Sequence, residues 1–277
     1  MAWTCVVLGT AQDGGNPQLG SPGVGPPRMV ASLAALADDG TTLLIDVTPD
    51  VKAQLSGLAS LPSHQRRDSP NIVDHIVLTH AHMGHYAGLV QFGKEAHNAR
   101  GIKCWVTPSM AQFLRSNQPW RALEDGGHIE IQVTEPGKSF APAPGLDLRL
   151  VQVPHRPDFT DAVGVSLNEV LYLPDIDGWE QWGEAEQVLA RHRICLLDAT
   201  FYDPAELPGR DISHISHPFV DDTVTRFSHL AADRRMILTH LNHSNPISDP
   251  ESAEAESVRR AGFEVAADLM AFPLAKH

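Results

Sequence analysis

A chain of 277 residues, 42% of them hydrophobic, is long enough to bury a large core and is not the chain of a disordered protein. Its formal charge of −13, with 34 Asp and Glu against 21 Lys and Arg, disfavours binding that depends on neutralising many phosphates, so nucleic acid is not an expected partner. The amino terminus has no basic start and no long apolar run, so no signal peptide or membrane span is expected and the protein reads as cytoplasmic.

In chain order, Thr4–Gly9 is a β-branched apolar run and reads as a buried strand. The loop Asp13-Gly14-Gly15-Asn16-Pro17-Gln18 and the Pro/Gly-rich stretch Gly20–Pro27 follow it. A second strand, Thr42–Ile45, ends in Asp46, and Pro49 opens a helical pattern to about Leu58. Ile72–Thr79 reads as a strand, Gly88–Ala99 as a helix, Lys103–Thr107 as a strand and Ser109–Ser116 as a helix. Strands are expected at Ile129–Val133, Leu146–Val153, Ala162–Leu167, Val170–Leu173, Ile194–Leu197 and Met236–Thr239. The remaining expectations are helices at Val220–Leu230 and Pro250–Ala261 and a short strand at Phe263–Val265. Strands alternating with helices at both ends, with strands between, suit two mixed sheets flanked by helices. There is no internal repeat or low-complexity block, and one domain over residues 1–277 is expected.

The three cysteines, Cys5, Cys104 and Cys195, are far apart in apolar surroundings, which is the pattern of buried free thiols. The 15 histidines are more informative because some cluster at the ends of apolar runs. In Val77-Leu78-Thr79-His80-Ala81-His82-Met83-Gly84-His85, a strand runs into imidazoles at i, i+2 and i+5. Such a turn aims several rings at one point, as metal binding requires, since neutral imidazole nitrogens bind Zn²⁺ at about 2.0–2.1 Å. Later strands end the same way, in His155, in Asp175 and Asp177, and in His240 and His243.

In this order Asp46, His80-x-His82-x-x-His85, His155, Asp175 and His240 resemble the motifs of the metallo-β-lactamase superfamily over nearly the whole chain. The resemblance implies an α+β fold, a four-layer αββα sandwich. Within the superfamily, Leu8–Gln18 and Thr239–Ile247 are similar to the opening and late motifs of the pyrroloquinoline quinone biosynthesis B branch. Two features depart from that branch: the cysteines after its opening motif are absent here, and the His80/His82 pair, which it typically lacks, is kept.

Carried over by motif, one metal ion takes His80, His82 and His155. A second takes His85 and His240, and Asp175 bridges the two. Gly84, however, stands where the superfamily usually has an Asp ligand, and glycine offers no donor. In the superfamily that Asp also helps to orient the attacking water, a task for which Asp175, Asp177 or Asp13 would have to stand in, and Asp13 is a candidate for the missing ligand. Catalytic roles fall to Asp175, to Asp46, which orients the His-bearing loop, and to His217 as proton donor, with His214 as its rival. Asp198 is a candidate buttress for His217 or His240, or a turn cap. His64, His75, His97, His128, His192, His229 and His277 read as structural or surface residues, and Trp120, Trp179 and Trp182 as core or pocket wall.

The expected activity is hydrolysis of a small-molecule ester, lactone or phosphodiester by a metal-activated water. The expected cofactor is zinc, one or two ions, with iron or manganese as alternatives. The competing readings are an iron-dependent oxidoreductase on the same ligands and a non-catalytic metal-binding module. The resemblance also allows a homodimer.

Overall fold

The structure, a computed structural model, describes residues 1–209, 211 and 215–275. Seven strands form the first sheet: β1 (Trp3–Gly9), β2 (Ser32–Ala37), β3 (Thr42–Ile45), β4 (His75–Val77), β5 (Ile102–Val106), β6 (Ile129–Val133) and β14 (Ala271–Pro273). Their order across the sheet is β14-β1-β2-β3-β4-β5-β6. The second sheet holds β7 (Ser139–Phe140), β8 (Leu148–Val153), β9 (Ala162–Leu167), β10 (Val170–Leu173), β11 (Ile194–Asp198), β12 (Arg235–Thr239) and β13 (Phe263–Val265). It runs β13-β12-β11-β10-β9-β8-β7.

Alternation along each strand builds the layers. In β1, Trp3, Cys5 and Val7 face inward and meet Leu148, Leu150, Val163, Val165 and Leu196 of the second sheet. Val6 and Leu8 point the other way, onto an outer layer with α1 (Val51–Ala59) and α3 (Pro108–Ser116). On the far face of the second sheet, Leu171, Leu173, Cys195 and Leu197 pack with residues of α5 (Ala185–Ala190), α6 (Val220–Phe227) and α7 (Ala253–Arg260). Helix, sheet, sheet, helix is the expected αββα sandwich, in its metallo-β-lactamase form. Helix ends follow local chemistry. The Ser252 side chain accepts a hydrogen bond from Ala255 N, with Glu254 and Glu256 in the first turn of α7 and Arg259 and Arg260 in its last.

Some elements differ from the sequence reading. Strand β2 was not expected, because Ser-Leu-Ala-Ala-Leu-Ala is composed largely of helix formers and, with all six residues buried, shows no alternation. The expected strand Ile72–Thr79 contracts to β4, and Thr79 onward turns into the site. Instead of a helix at Gly88–Ala99, a single turn, α2 (Met83–Tyr86), leads into a 3-10 segment at Ala87–Phe92, closed by extended backbone at Gly93. Helix α4 (Trp120–Asp125) was also unanticipated. Among the described residues, no helix is long and apolar enough to cross a membrane.

The topology decides where the site lies. Strands β3 and β4 are parallel, and β1 shares their direction because β2 is antiparallel to both β1 and β3. In the second sheet β10, β11 and β12 are parallel, and β8 shares their direction through β9. Asp13, Asp46, His80, His155, Asp175, Asp198 and His240 all lie at or just after the carboxyl ends of these co-directed strands, where open α/β sheets place their ligands.

Candidate metal centre

Two left-handed residues mark the strand ends. Asp46 has φ of 64° and His240 φ of 61°, a conformation that costs a side-chain-bearing residue energy and concentrates at functional sites. Asp46 is fully buried. Its Oδ1 accepts from Thr79 N at 2.9 Å, its carboxylate accepts from Thr79 Oγ1 at 3.0 Å, and its Oδ2 accepts from His85 Nδ1 at 2.7 Å. Since the Thr79 hydroxyl proton goes to Asp46, Thr79 Oγ1 can only accept from His80 Nδ1, 3.0 Å away. Both rings are thereby fixed with Nδ1 protonated and Nε2 bare, the state in which imidazole binds a metal.

A second carboxylate repeats the arrangement across the site. Asp198 Oδ1 accepts from Thr200 N at 3.0 Å and from Thr200 Oγ1 at 2.7 Å, and its Oδ2 lies 2.8 Å from His217 Nδ1. Thr200 Oγ1 in turn accepts from His240 Nδ1 at 3.0 Å, leaving His240 Nε2 bare.

The freed atoms converge. His80 Nε2 lies 2.9 Å from His82 Nδ1, and His155 Nε2 lies 3.2 Å from the same atom. Asp175 reaches this trio, with oxygens 3.6 Å from His80 Nε2 and 3.6 Å from His155 Nε2. Its Oδ2 also stands 2.9 Å from His85 Nε2 and 3.4 Å from His240 Nε2. Asp13 Oδ1 lies 3.3 Å from His85 Nε2 and 3.7 Å from His240 Nε2. Donors on a tetrahedron around zinc, bonded at about 2.0–2.1 Å, sit roughly 3.3–3.4 Å apart, so these separations suit shared ions.

Whether a metal fits is tested by the atoms without other partners. His85 Nε2, His240 Nε2 and Asp175 Oδ2 are buried, and none makes a hydrogen bond within the described residues, although two of them approach to 2.9 Å. Orphaned buried donors and acceptors are costly, and a cation among them relieves that cost. The proton balance divides between the two groups: burial opposes a charge on His85, but Asp46, Asp13 and Asp175 outweigh it and raise the imidazole well above its ordinary value, a proton that a bound cation would displace. Burial holds His80 well below the ordinary histidine value, with His85 adding to the effect, and burial likewise lowers His82 and His155, so the trio is neutral. Burial opposes ionisation of Asp175, but the surrounding imidazoles, His240 foremost, outweigh it and hold the carboxyl well below its ordinary value. The residues therefore suit a metal ion, in two adjoining groups.

The structure brings together all the sequence-predicted ligands, His80, His82, His85, His155, Asp175 and His240, and adds Asp13. Asp46 makes its contacts to His85 and Thr79, which orient the rings. Asp177 serves His155, its Oδ1 lying 3.0 Å from His155 Nδ1, and so does not fill the position opposite Gly84. His217 is buried between the groups, its ring centroid 5.6 Å from that of His155 and 5.8 Å from that of His240. Burial works against a charge on His217, but Asp198 overcomes it and raises the imidazole above its ordinary value. His214 and His277 lie outside the described residues. Sequence reasoning missed Thr79, Thr200 and Asp158, whose Oδ2 lies 3.3 Å from His82 Nε2. Only the adjacency of Thr79 to His80 and of Thr200 to Asp198 offered a signal. Trp179 and Trp182 are core residues, while Trp120 packs at a tilt against Tyr86 and Phe113 beside α2. Of the histidines expected to be structural, His64 contacts Ile72 O, His128 contacts Ala99 O and His192 contacts Val188 O.

A sandwich of two mixed sheets whose strand ends deliver histidines and a shared carboxylate is the architecture of the metallo-β-lactamase class. Residues 41–241 match the family described as the beta-lactamase superfamily domain, and the chain belongs to that family. Within it the chain is similar to coenzyme PQQ synthesis protein B from Pseudomonas syringae pv. tomato, at 28% identity over 97% of this chain and 99% of the relative. Among solved structures, Zn²⁺-bound PqqB from Methylobacterium extorquens superposes with a TM-score of 0.82 at 20% identity, covering 97% of this chain and 99% of that one. A diphosphatase of the PhnP family follows at a TM-score of 0.72 and 23% identity, covering 99% of each.

Proposed function

We propose that this protein is a metal-dependent hydrolase acting on a small ester, lactone or phosphodiester. The observation that carries the reading is the placement of His217, a buried imidazole bonded to Asp198, beside two groups of bare imidazole nitrogens joined by Asp175. His80, His82, His155 and Asp175 would hold a zinc ion, which when bound would supply Lewis acidity to activate a water. The chain's own residues do the rest. Asp46 and Thr79 fix the rings of His80 and His85 so that no reorganisation accompanies the reaction. Asp175, lying between the two groups, orients the attacking water. His217, whose imidazole Asp198 raises above its ordinary value, delivers a proton to the leaving oxygen. A cleft of about 340 Å³, lined by Gln12, Gln18, Phe201, Asn242 and His243 among others, adjoins the Asp13 and His240 side and gives a small polar substrate room.

The competing reading is an iron-dependent oxidation on the same ligands, whereas the similar solved structure, PqqB, is described as Zn²⁺-bound. The test compares metal-free, zinc-loaded and iron-loaded protein on 4-nitrophenyl acetate, a γ-lactone and bis(4-nitrophenyl) phosphate, with oxygen consumption followed in parallel. Turnover of one hydrolytic substrate by the zinc form, lost in His82→Ala, is the expected result. Oxygen uptake by the iron form with no hydrolysis overturns the proposal in favour of oxidation. Silence in every assay, with no metal bound, leaves a binding module.

A further inference from the structure

Gly84 and Asp13 compete for one volume. A Cβ placed on Gly84 would meet Asp13 Cγ at 2.7 Å and Asp13 Cα at 2.8 Å, distances that real Cβ atoms do not show. The space that a side chain at position 84 would fill is therefore occupied by the side chain and backbone of Asp13. From there Asp13 Oδ1 faces His85 Nε2 at 3.3 Å and His240 Nε2 at 3.7 Å, the two buried nitrogens that lack hydrogen-bond partners.

The loop that carries Asp13 is tied to the loop that carries His240. Leu241 N donates to Thr10 O at 2.8 Å and Gln12 N donates to Leu241 O at 2.9 Å, so the residue before Asp13 and the residue after His240 are locked in register. Ala11 bridges both Val30 and Leu241, and Gly15 N closes the turn onto Gln12 O at 2.8 Å. Gly15, at φ of 73°, allows the chain to leave the site at once. A carboxylate presented by backbone this constrained is preorganised toward the nitrogens it faces.

We propose that Asp13 is the carboxylate ligand of a second metal ion, shared with His85, His240 and Asp175, and that the strand β1 loop thereby supplies the donor that Gly84 cannot. The proposal rests on the metal-centre reading above and goes beyond it in assigning a second ion and its source of charge. Glycine at 84 is then a steric requirement of the relocated carboxylate.

The test is zinc titration of chelator-treated protein by calorimetry, with bound zinc counted by elemental analysis after dialysis, on wild type, Asp13→Gly, Gly84→Asp and the Asp13→Gly/Gly84→Asp exchange. Wild type should bind two equivalents. Asp13→Gly should keep one tight equivalent and weaken the second by more than the 10–100-fold typical of losing a ligand's hydrogen-bond partner. Gly84→Asp alone should lose thermal stability through the clash, and the double exchange should recover both stability and the second equivalent. A second equivalent retained in Asp13→Gly, or a wild type that binds only one, overturns the assignment of Asp13 while leaving the first site standing. Failure of wild type to bind any zinc removes the underlying metal reading as well. Circular dichroism of Asp13→Gly separates loss of a ligand from loss of fold.

Discussion

His217 Nδ1 lies 2.8 Å from Asp198 Oδ2, and that single bond decides which end of the imidazole is free for chemistry. Asp46 makes the equivalent bond to His85 at 2.7 Å. Each carboxylate also takes a backbone N–H and a hydroxyl from one threonine, Thr79 on one side and Thr200 on the other. The two halves of the site thus share one device, in which a buried carboxylate and a threonine set the tautomers of two imidazoles. They differ in what lies beyond. His85 faces Asp13 and Asp175 through a bare Nε2, whereas His217 is offered as a proton donor.

That difference gives a leaving-group test. With His217→Gln, hydrolysis of a substrate whose leaving group needs a proton, such as an alkyl ester or alkyl phosphodiester, should fall in kcat by about 10²–10⁴-fold. With 4-nitrophenolate, which departs without protonation, the loss should shrink toward unity. Zinc content should stay at the wild-type level. Equal losses for both leaving groups would show that His217 positions substrate and does not transfer a proton.

His82→Ala removes the nitrogen on which His80 and His155 converge, at 2.9 and 3.2 Å. His82 lies at the edge of the site and contributes to no hydrophobic cluster, so the variant should fold with an unchanged circular dichroism spectrum and lose one equivalent of zinc. Full zinc content in a folded variant would refute the ligand assignment.

Asp46→Asn preserves shape but exchanges one carboxylate oxygen for an amide nitrogen beside His85 Nδ1 and Thr79, groups that both donate to Asp46. Whichever way the amide turns, one of three hydrogen bonds to a fully buried group is lost or inverted. Metal affinity should fall roughly 10–100-fold. Zinc titration that gives the wild-type dissociation constants would reduce Asp46 to a strand-end cap.

The sequence made the strand ends legible because the chemistry and the pattern coincide there: an apolar run stops and a histidine or aspartate begins at His80, His155, Asp175 and His240. Asp13 was open to two readings because Asp-Gly-Gly is an ordinary turn sequence, and its proximity to His85 depends on a contact between loops more than 70 residues apart. Strand β2 was illegible for a different reason. A strand buried on both faces loses its alternation, and Ala and Leu carry no β signal. The stretch after the histidine turn also misled: α2 gives way at Ala87 to a 3-10 segment in which Gly88 lies against the Thr48 carbonyl.

The three cysteines give a prediction independent of the metal. Cys5, Cys104 and Cys195 are buried within the sheets and free. Burial pushes the thiols of Cys104 and Cys195 up to about 12 and that of Cys5 higher still, with Glu169 adding to Cys5. Since the thiolate is the reactive form, native protein at neutral pH should leave a disulfide reagent such as Ellman's unreacted over hours, and three equivalents should react once guanidinium unfolds it. Rapid native labelling of one thiol would reveal a local opening of that strand.

Tyr172 points between the sheets with its ring buried, and its hydroxyl has no hydrogen-bond partner among the described residues. Burial raises this phenol well above its ordinary value, and the charges of Asp46 and Asp175 raise it further, so it stays neutral. A buried unsatisfied hydroxyl costs about 1–3 kcal/mol, and phenylalanine has the same shape without it. Tyr172→Phe should therefore unfold at the wild-type temperature or a few degrees above it. A domain of this size shifts by roughly 2–4 °C per kcal/mol, so the effect is measurable by calorimetry. A fall of more than about 1 kcal/mol would mean that the hydroxyl is satisfied in solution, with ordered water as its partner.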